Sequence, residues 1–369
     1  MKIQDITTFL EKLAPPLLQE GYDNGGLLTG SGSWECTGVI TTLDATEEIV
    51  LEAISKKCNL IVAHHPIVFV GLKKINGKNY VEKTLIAAIK HDIAIYAIHT
   101  NLDNIKTGVS GKMADKIGLL NREILQPKKN YLKKLVTFVP NSHAENVKDA
   151  ILNAGAGQIG DYSECSFSTA GEGTFKAGEN SNPYVGVIGE RHVESEMKVE
   201  TIFPAWLQND ICKALNEAHP YEEVAYDIYN LDNIHQGIGS GMIGILEKEQ
   251  TEEEFLKFLT SAFKLKVIRY TPLTGKMVKK VALCGGAGSF LIDNAVAAGA
   301  DFYITGDVKY HEFFDANGKI VIADIGHYES EQYTIELLFD ILSKKFPNFA
   351  VQKTGLNTNP VQYFGNFNS

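Results

Sequence analysis

Short apolar runs alternate with amphipathic segments of about three turns, and this alternation constrains the fold more than any other feature. Residues 38–43, 60–63 and 93–98 read as strands, while 46–57, 81–90 and 110–117 read as helices. Ile6, Phe9, Leu10 and Leu13 recur at helical spacing ahead of them, stopped by Pro15 and Pro16. Strands joined through helices run in the same direction, so the pattern predicts a mostly parallel sheet covered on both faces. The alternation resumes after the glycine-rich 237–241. Strands are expected at 242–246, 267–270, 278–283, 302–304 and 320–323, with helices at 252–262, 290–298 and 327–343, and an edge strand at 361–364.

Between these halves the composition changes. Residues 132–139 read as a strand, 144–153 as a helix, and a long polar, glycine-rich stretch runs through 171–183. A strand at 198–203, a helix at 205–217 and a strand at 224–229 follow. This is the element order of a ferredoxin-like unit. The expected fold class is therefore α/β: a mostly parallel-sheet body, residues 1–129 and 233–369, interrupted by an inserted α+β ferredoxin-like domain at 130–232. The five residues 101–105 recur as 230–234, each copy followed three residues later by glycine, Gly108 and Gly237. Either the halves are duplicated or a common turn sequence has been used twice.

With 369 residues, 44% of them hydrophobic, the chain has ample material for buried cores, and global disorder is excluded. The formal charge of -10 makes phosphate backbones poor partners, and the short basic clusters at Lys73-Lys74, Lys128-Lys129 and Lys133-Lys134 read as solvated loops. Nucleic acid is not expected as a partner. The five cysteines are dispersed with no CxxC pair, which fits a reducing compartment. No run approaches the roughly 18 apolar residues of a membrane helix, and the N-terminus lacks a signal-peptide apolar region. The expectation is a cytoplasmic protein without a membrane partner.

The chemistry-bearing residues gather where strands end. His64 and His65 follow the run 60–63 and precede Pro66. Adjacent side chains in a strand point to opposite faces, so two imidazoles converge only if the chain turns there. His99 and Asp103 follow the strand at 93–98. His99 either steadies a ligand, contacts substrate or is satisfied by backbone. His327 and Glu331 are four apart after Gly326, on one helical face, with Glu329 on another. His64, His65, Asp103, His327 and Glu331 form a nitrogen and oxygen donor set that suits zinc, manganese or iron. Five donors exceed what one open catalytic ion needs and suit two ions sharing a carboxylate. Asp307, His311 and Glu312 follow the strand at 302–304 as candidate proton carriers or substrate contacts. Asp44 either supports the cluster or caps the next helix. Residues 285–289 form either a tight turn or an anion cradle.

In order and separation, Tyr22-Asp23-Asn24-Gly25-Gly26-Leu27, His64-His65-Pro66, His99 through Asp103, Thr305 through Glu312, and Gly326-His327 with Glu331 resemble the Nif-three-like family, also called the type 2 homologues of GTP cyclohydrolase 1. Tyr22 stands where tryptophan is common in the family. The resemblance implies a two-metal centre per subunit, zinc favoured, with His64, His65, Asp103, His327 and Glu331 as ligands and Glu331 as the bridge. It also implies an insertion akin to small trimeric divalent-cation-tolerance proteins, around His219-Pro220-Tyr221-Glu222, and a homohexamer. Hydrolase-like chemistry on a small phosphorylated or nucleotide substrate is one functional reading. A non-catalytic metal-sensing or scaffold protein is the other.

Overall fold

Strand Leu60–Ala63, buried at all four positions, lies between Val39–Thr42 and Ala94–Ala97, and both pairings are parallel. A strand covered on both faces has no polar side, which is why these runs are continuously apolar. The computed structural model describes residues 1–364. Its first sheet has the strand order Gly26–Thr29, Ala94–Ala97, Leu60–Ala63, Val39–Thr42, Val351–Lys353. The first pairing is antiparallel and the last parallel. Its helices begin on side-chain caps: Thr46 accepts from the Ile49 N–H, and Asn79 from the Glu82 N–H.

The second sheet runs Arg269–Tyr270, Val321–Asp324, Phe302–Gly306, Met277–Ala287, Gly239–Thr251, Leu120–Pro127. Its three central strands are parallel, whereas Arg269–Tyr270 and Gly239–Thr251 pair antiparallel with their neighbours. Phe255 and Phe302 meet edge to face at 4.9 Å in the core beneath it. Both sheets are thus mixed, within an α/β architecture.

Two expectations are corrected here. The closing segment 361–364 is irregular, and the edge strand is Val351–Lys353 instead. Pro360 offers no N–H, and the Asn357 and Asn359 side chains take the backbone N–H groups of Asn359 and Val361, so the segment follows local turns. The helix expected at 327–343 is two, His327–Glu331 and Thr334–Lys345. At the break the Gln332 amide donates to the carbonyls of Glu329 and Phe263.

Residues 1–126 with 237–364 form one compact unit, and Pro127–Gln236 a second. The second holds the sheet order Ser166–Lys176, Arg191–Pro204, Leu132–Pro140, Tyr226–Asn230, antiparallel throughout. Helices Ala144–Asn153 and Gln208–Ala218 belong to it, and its core contains Leu135, Val139, Val147, Ile151, Phe203, Ile211 and Leu215. Strand Ser166–Lys176 runs into the polar, glycine-rich stretch and was not placed from the sequence. Lys133 and Lys134, read as loop residues, lie within Leu132–Pro140, where Lys134 pairs with Glu200 at 2.9 Å.

Candidate metal centre

Leu60–Ala63 ends where the backbone N–H groups of His64 and His65 both reach the Leu43 carbonyl, at 3.1 and 2.9 Å. Both imidazoles therefore turn to the same side, with ring centroids 4.9 Å apart. Each ring is pinned through Nδ1. His64 Nδ1 donates to the Ile98 carbonyl at 2.8 Å, His65 Nδ1 faces Asp44 at 2.8 Å, and His327 Nδ1 faces Asp307 at 2.7 Å. A carbonyl or carboxylate at Nδ1 draws the proton there and leaves Nε2 with a lone pair, the arrangement that orients a metal-binding histidine.

The three Nε2 atoms converge with two carboxylates. Glu331 Oε2 stands 2.9 Å from His65 Nε2 and 3.1 Å from His327 Nε2, while Oε1 lies 3.8 Å from His64 Nε2. Asp103 Oδ1 is 3.5 Å from His64 Nε2. The Nε2 atoms of His65 and His327 are 3.4 Å apart. Three groupings, His65-His327-Glu331, His64-Asp103-Glu331 and His64-His65-His99, each place their donor atoms within 4.8 Å of one another.

Electrostatics shows what this arrangement lacks. His64 Nε2 and Asp103 Oδ1 are buried with no hydrogen-bond partner, a cost the fold bears unless something binds them. Burial raises the Asp103 carboxyl, and the nearby Glu331 charge raises it further, to about 7. Burial opposes charge on His65 and His327, yet the carboxylates of Asp44, Asp307 and Glu331 prevail and raise them to about 10 and 9. Burial would also raise Glu331, but its imidazole neighbours hold it well below the usual range. Carboxylates gathered out of water favour positive charge here, supplied by protons on His65 and His327 or by a cation that takes their place, and the groups could hold a metal ion. The donor set fits divalent ions of borderline hardness.

Gly286, at φ +62°, lets the chain pass this cluster: a Cβ there would lie 2.3 Å from Glu331 Oε1. The turn at 285–289 is no anion cradle, because the N–H groups of Gly286 and Gly288 already donate to Ser330 Oγ and Thr305 Oγ1.

The other candidate residues divide. His99 flanks the cluster, its ring 5.2 Å from that of His64, and its Nδ1 faces Asp23 at 2.7 Å. Asp23 also accepts from the backbone and hydroxyl of Thr100. Burial acts to raise the Asp23 carboxyl, but these bonds bring it down to about 2. Sequence reasoning gave Asp23 no role, and its loop position carried no signal linking it to a residue 76 positions away. Asp44 supports His65 and accepts from Thr358 Oγ1, while Thr46 is the helix cap. Asp307 touches the cluster through His327. His311 and Glu312 do not line the cavity at the cluster. His311 is exposed, and Glu312 closes a capping box on the Lys309 N–H. Glu329 faces away and accepts from Asn359 and Tyr363. The second copy of the repeated pentapeptide begins at the end of strand Tyr226–Asn230, in the other unit, with none of this environment.

The cluster opens into a cavity of about 390 Å³ with Tyr22, Phe69, Tyr80 and Phe290 among its lining residues. None of the lining residues is Lys or Arg.

Comparison with known proteins agrees along almost the full length. The chain is 39% identical to a Halalkalibacterium halodurans protein and 38% identical to one from Bacillus subtilis, each called GTP cyclohydrolase 1 type 2 homolog, with 98% of both chains covered in each case. Among solved structures, a Bacillus cereus protein described as related to NIF3 superimposes with a TM-score of 0.87 at 39% identity, covering 99% of both chains. A Staphylococcus aureus protein does so with a TM-score of 0.79 at 30% identity and the same coverage. The family model Duf34/NIF3 (NGG1p interacting factor 3) matches residues 1–360, and the chain belongs to that family.

Proposed function

We propose that the chain binds two divalent cations per subunit, zinc favoured and manganese or iron also suited, and uses them in hydrolase-like chemistry. One observation carries this reading: three imidazole Nε2 atoms, each with Nδ1 pinned, face Asp103 and Glu331 across a site with orphaned buried atoms. His65, His327 and Glu331 would hold one ion, His64, Asp103 and Glu331 the other, with Glu331 shared. The chemistry supplied by such a pair is Lewis acidity, which acidifies water and offsets developing negative charge. The protein fixes the donors through Asp44, Asp307 and the Ile98 carbonyl. His99, steadied by Asp23, is placed to hold or pass a proton at the cavity wall. The aromatic lining suits a planar substrate. A phosphorylated one would depend on the cations, since no Lys or Arg lines the cavity.

The insertion is ferredoxin-like, supported by its strand–helix–strand–strand–helix–strand order and antiparallel sheet, and the body is the mostly parallel component. Both outer strands of that sheet have unpaired edges that suit pairing between copies in a cytoplasmic homohexamer. Light scattering at micromolar protein should give the mass of six chains, and a monomer would refute the assembly.

Replacement of Glu331 by Gln tests the centre. It keeps the size but removes the charge that holds two cations together. E331Q should lose at least one ion per chain by elemental analysis after a mild chelator wash, with circular dichroism unchanged. E329Q should retain both ions. Full occupancy in folded E331Q would overturn the reading.

A further inference from the structure

The inserted unit contains a second cavity, of about 670 Å³, whose residues all lie within 138–225. One wall is strand Ser166–Lys176 and the segment after it, and the other carries Glu196, Tyr221, Glu222 and Glu223. Glu196 is the unusual member. It is a carboxylate left only 8% exposed, in a strand whose other two carboxylates, Glu194 and Glu200, are less buried and paired, with His192 and with Lys134 and Lys198. One of its oxygens accepts from the Tyr221 hydroxyl at 2.8 Å. The other has no hydrogen bond among the described residues and lies 2.1 Å from where a Cβ on Gly173 would stand. Glycine at 173 therefore makes room for this carboxylate on the cavity wall. Burial raises the Tyr221 hydroxyl, and its bond to Glu196 raises it further, so it stays a donor. The nearest lysine on the same strand, Lys198, is committed to Glu200 at 2.6 Å.

Aromatic rings line the same cavity as this carboxylate. The Tyr221 ring lies 6.3 Å from Phe175 and 6.2 Å from Tyr184, and all three line the cavity. A carboxylate with an unfilled acceptor attracts an N–H donor of positive charge, and ring faces attract the same charge through their quadrupoles. A mostly apolar cavity of this size accepts a carbon body as well as a charged head.

We propose that this cavity binds a small organic ammonium, a primary or secondary amine with an apolar body, whose N–H groups fill the free acceptor of Glu196 alongside Phe175, Tyr184 and Tyr221. The site lies within the inserted unit and does not depend on the metal reading. The test uses the full chain and phenethylammonium as probe, with 2-phenylethanol as its uncharged counterpart, by isothermal calorimetry and thermal shift. Phenethylammonium should bind at least tenfold more tightly than the alcohol. E196Q should abolish that preference, and Y184A, at a half-exposed ring that folding does not need, should weaken amine binding about threefold to tenfold. Chelator-treated protein should bind the amine equally well, so loss of the metal centre and loss of this site are separately visible. Equal affinity for amine and alcohol, or a preference that survives in E196Q, would overturn the proposal.

Discussion

Gly286→Ala should disable the proposed metal centre without replacing a donor. A Cβ at this position would meet Glu331 Oε1 at 2.3 Å and Cδ at 3.2 Å, whereas ordinary contact begins near 3.4 Å. The carboxylate must retreat by about 1 Å, while metal–ligand distances tolerate only about 0.2 Å. The positive φ adds a second, separable cost of about 1–2 kcal/mol for a residue carrying Cβ. Gly299→Ala supplies the control: its φ is +70°, and a Cβ there meets nothing within 4 Å. Elemental analysis and thermal unfolding, each with and without chelator, separate the two effects. In chelator both variants should fall below wild type by about 1–2 kcal/mol, with G286A somewhat lower. With metal at a hundredfold excess over Kd, wild type and G299A should each gain about 2.7 kcal/mol per bound ion, and G286A should gain little. If G286A holds two ions as firmly as G299A, the placement of Glu331 in the centre is wrong.

The remaining expectations concern the residues behind the donors. Asp307→Asn leaves His327 in place but weakens the partner that fixes its tautomer, and metal affinity should fall about tenfold to a hundredfold. Competition with a chromophoric chelator measures this, and E312Q, altered only at a helix cap, should match wild type. Asp23 has a folded-state pKa of about 2 against an ordinary 3.8, so ionised Asp23 favours the folded state. That contribution is fully present above about pH 4 and disappears as pH falls toward 2. It amounts to about 1–2 kcal/mol after solvent screening. Denaturant titrations in chelator should show D23N losing this advantage at pH 6 and converging on wild type near pH 2.

The body of the fold was legible because its central strands are buried on both faces and its helices carry a clear apolar stripe. Leu60–Ala63 falls at its expected bounds, and so does helix Ala144–Asn153 of the inserted unit. Strand Ser166–Lys176 was illegible for the opposite reason. It is exposed at nearly every position, so no alternation marks it, and its pairing with Arg191–Pro204 is a long-range property. In the centre, strand ends pointed to His64, His65, Asp103, His327 and Glu331, and the structure brings these five together. What sequence could not show is how the rings are held. Asp23, Thr358 and the Ile98 carbonyl act across 76, 314 and 34 positions of chain. His311 and Glu312 were drawn in by closeness in sequence to Asp307, but a 3-10 turn carries them out of the cavity lining.

The parallel pairing of Val351–Lys353 with Val39–Thr42 has a consequence for biosynthesis. The cluster around Ile40, Ile61 and Ile95 is local in sequence and can condense early on the ribosome. One edge of its sheet nevertheless waits for residues some 300 positions later. At about 5–20 residues per second, that interval is roughly 15–60 s during which Val39–Thr42 presents unpaired backbone groups beside apolar side chains. An open edge of this kind invites pairing with neighbouring nascent chains. Slow translation of the last third, or stalling before residue 351, therefore exposes this protein to aggregation through the same strand that later supports the histidines.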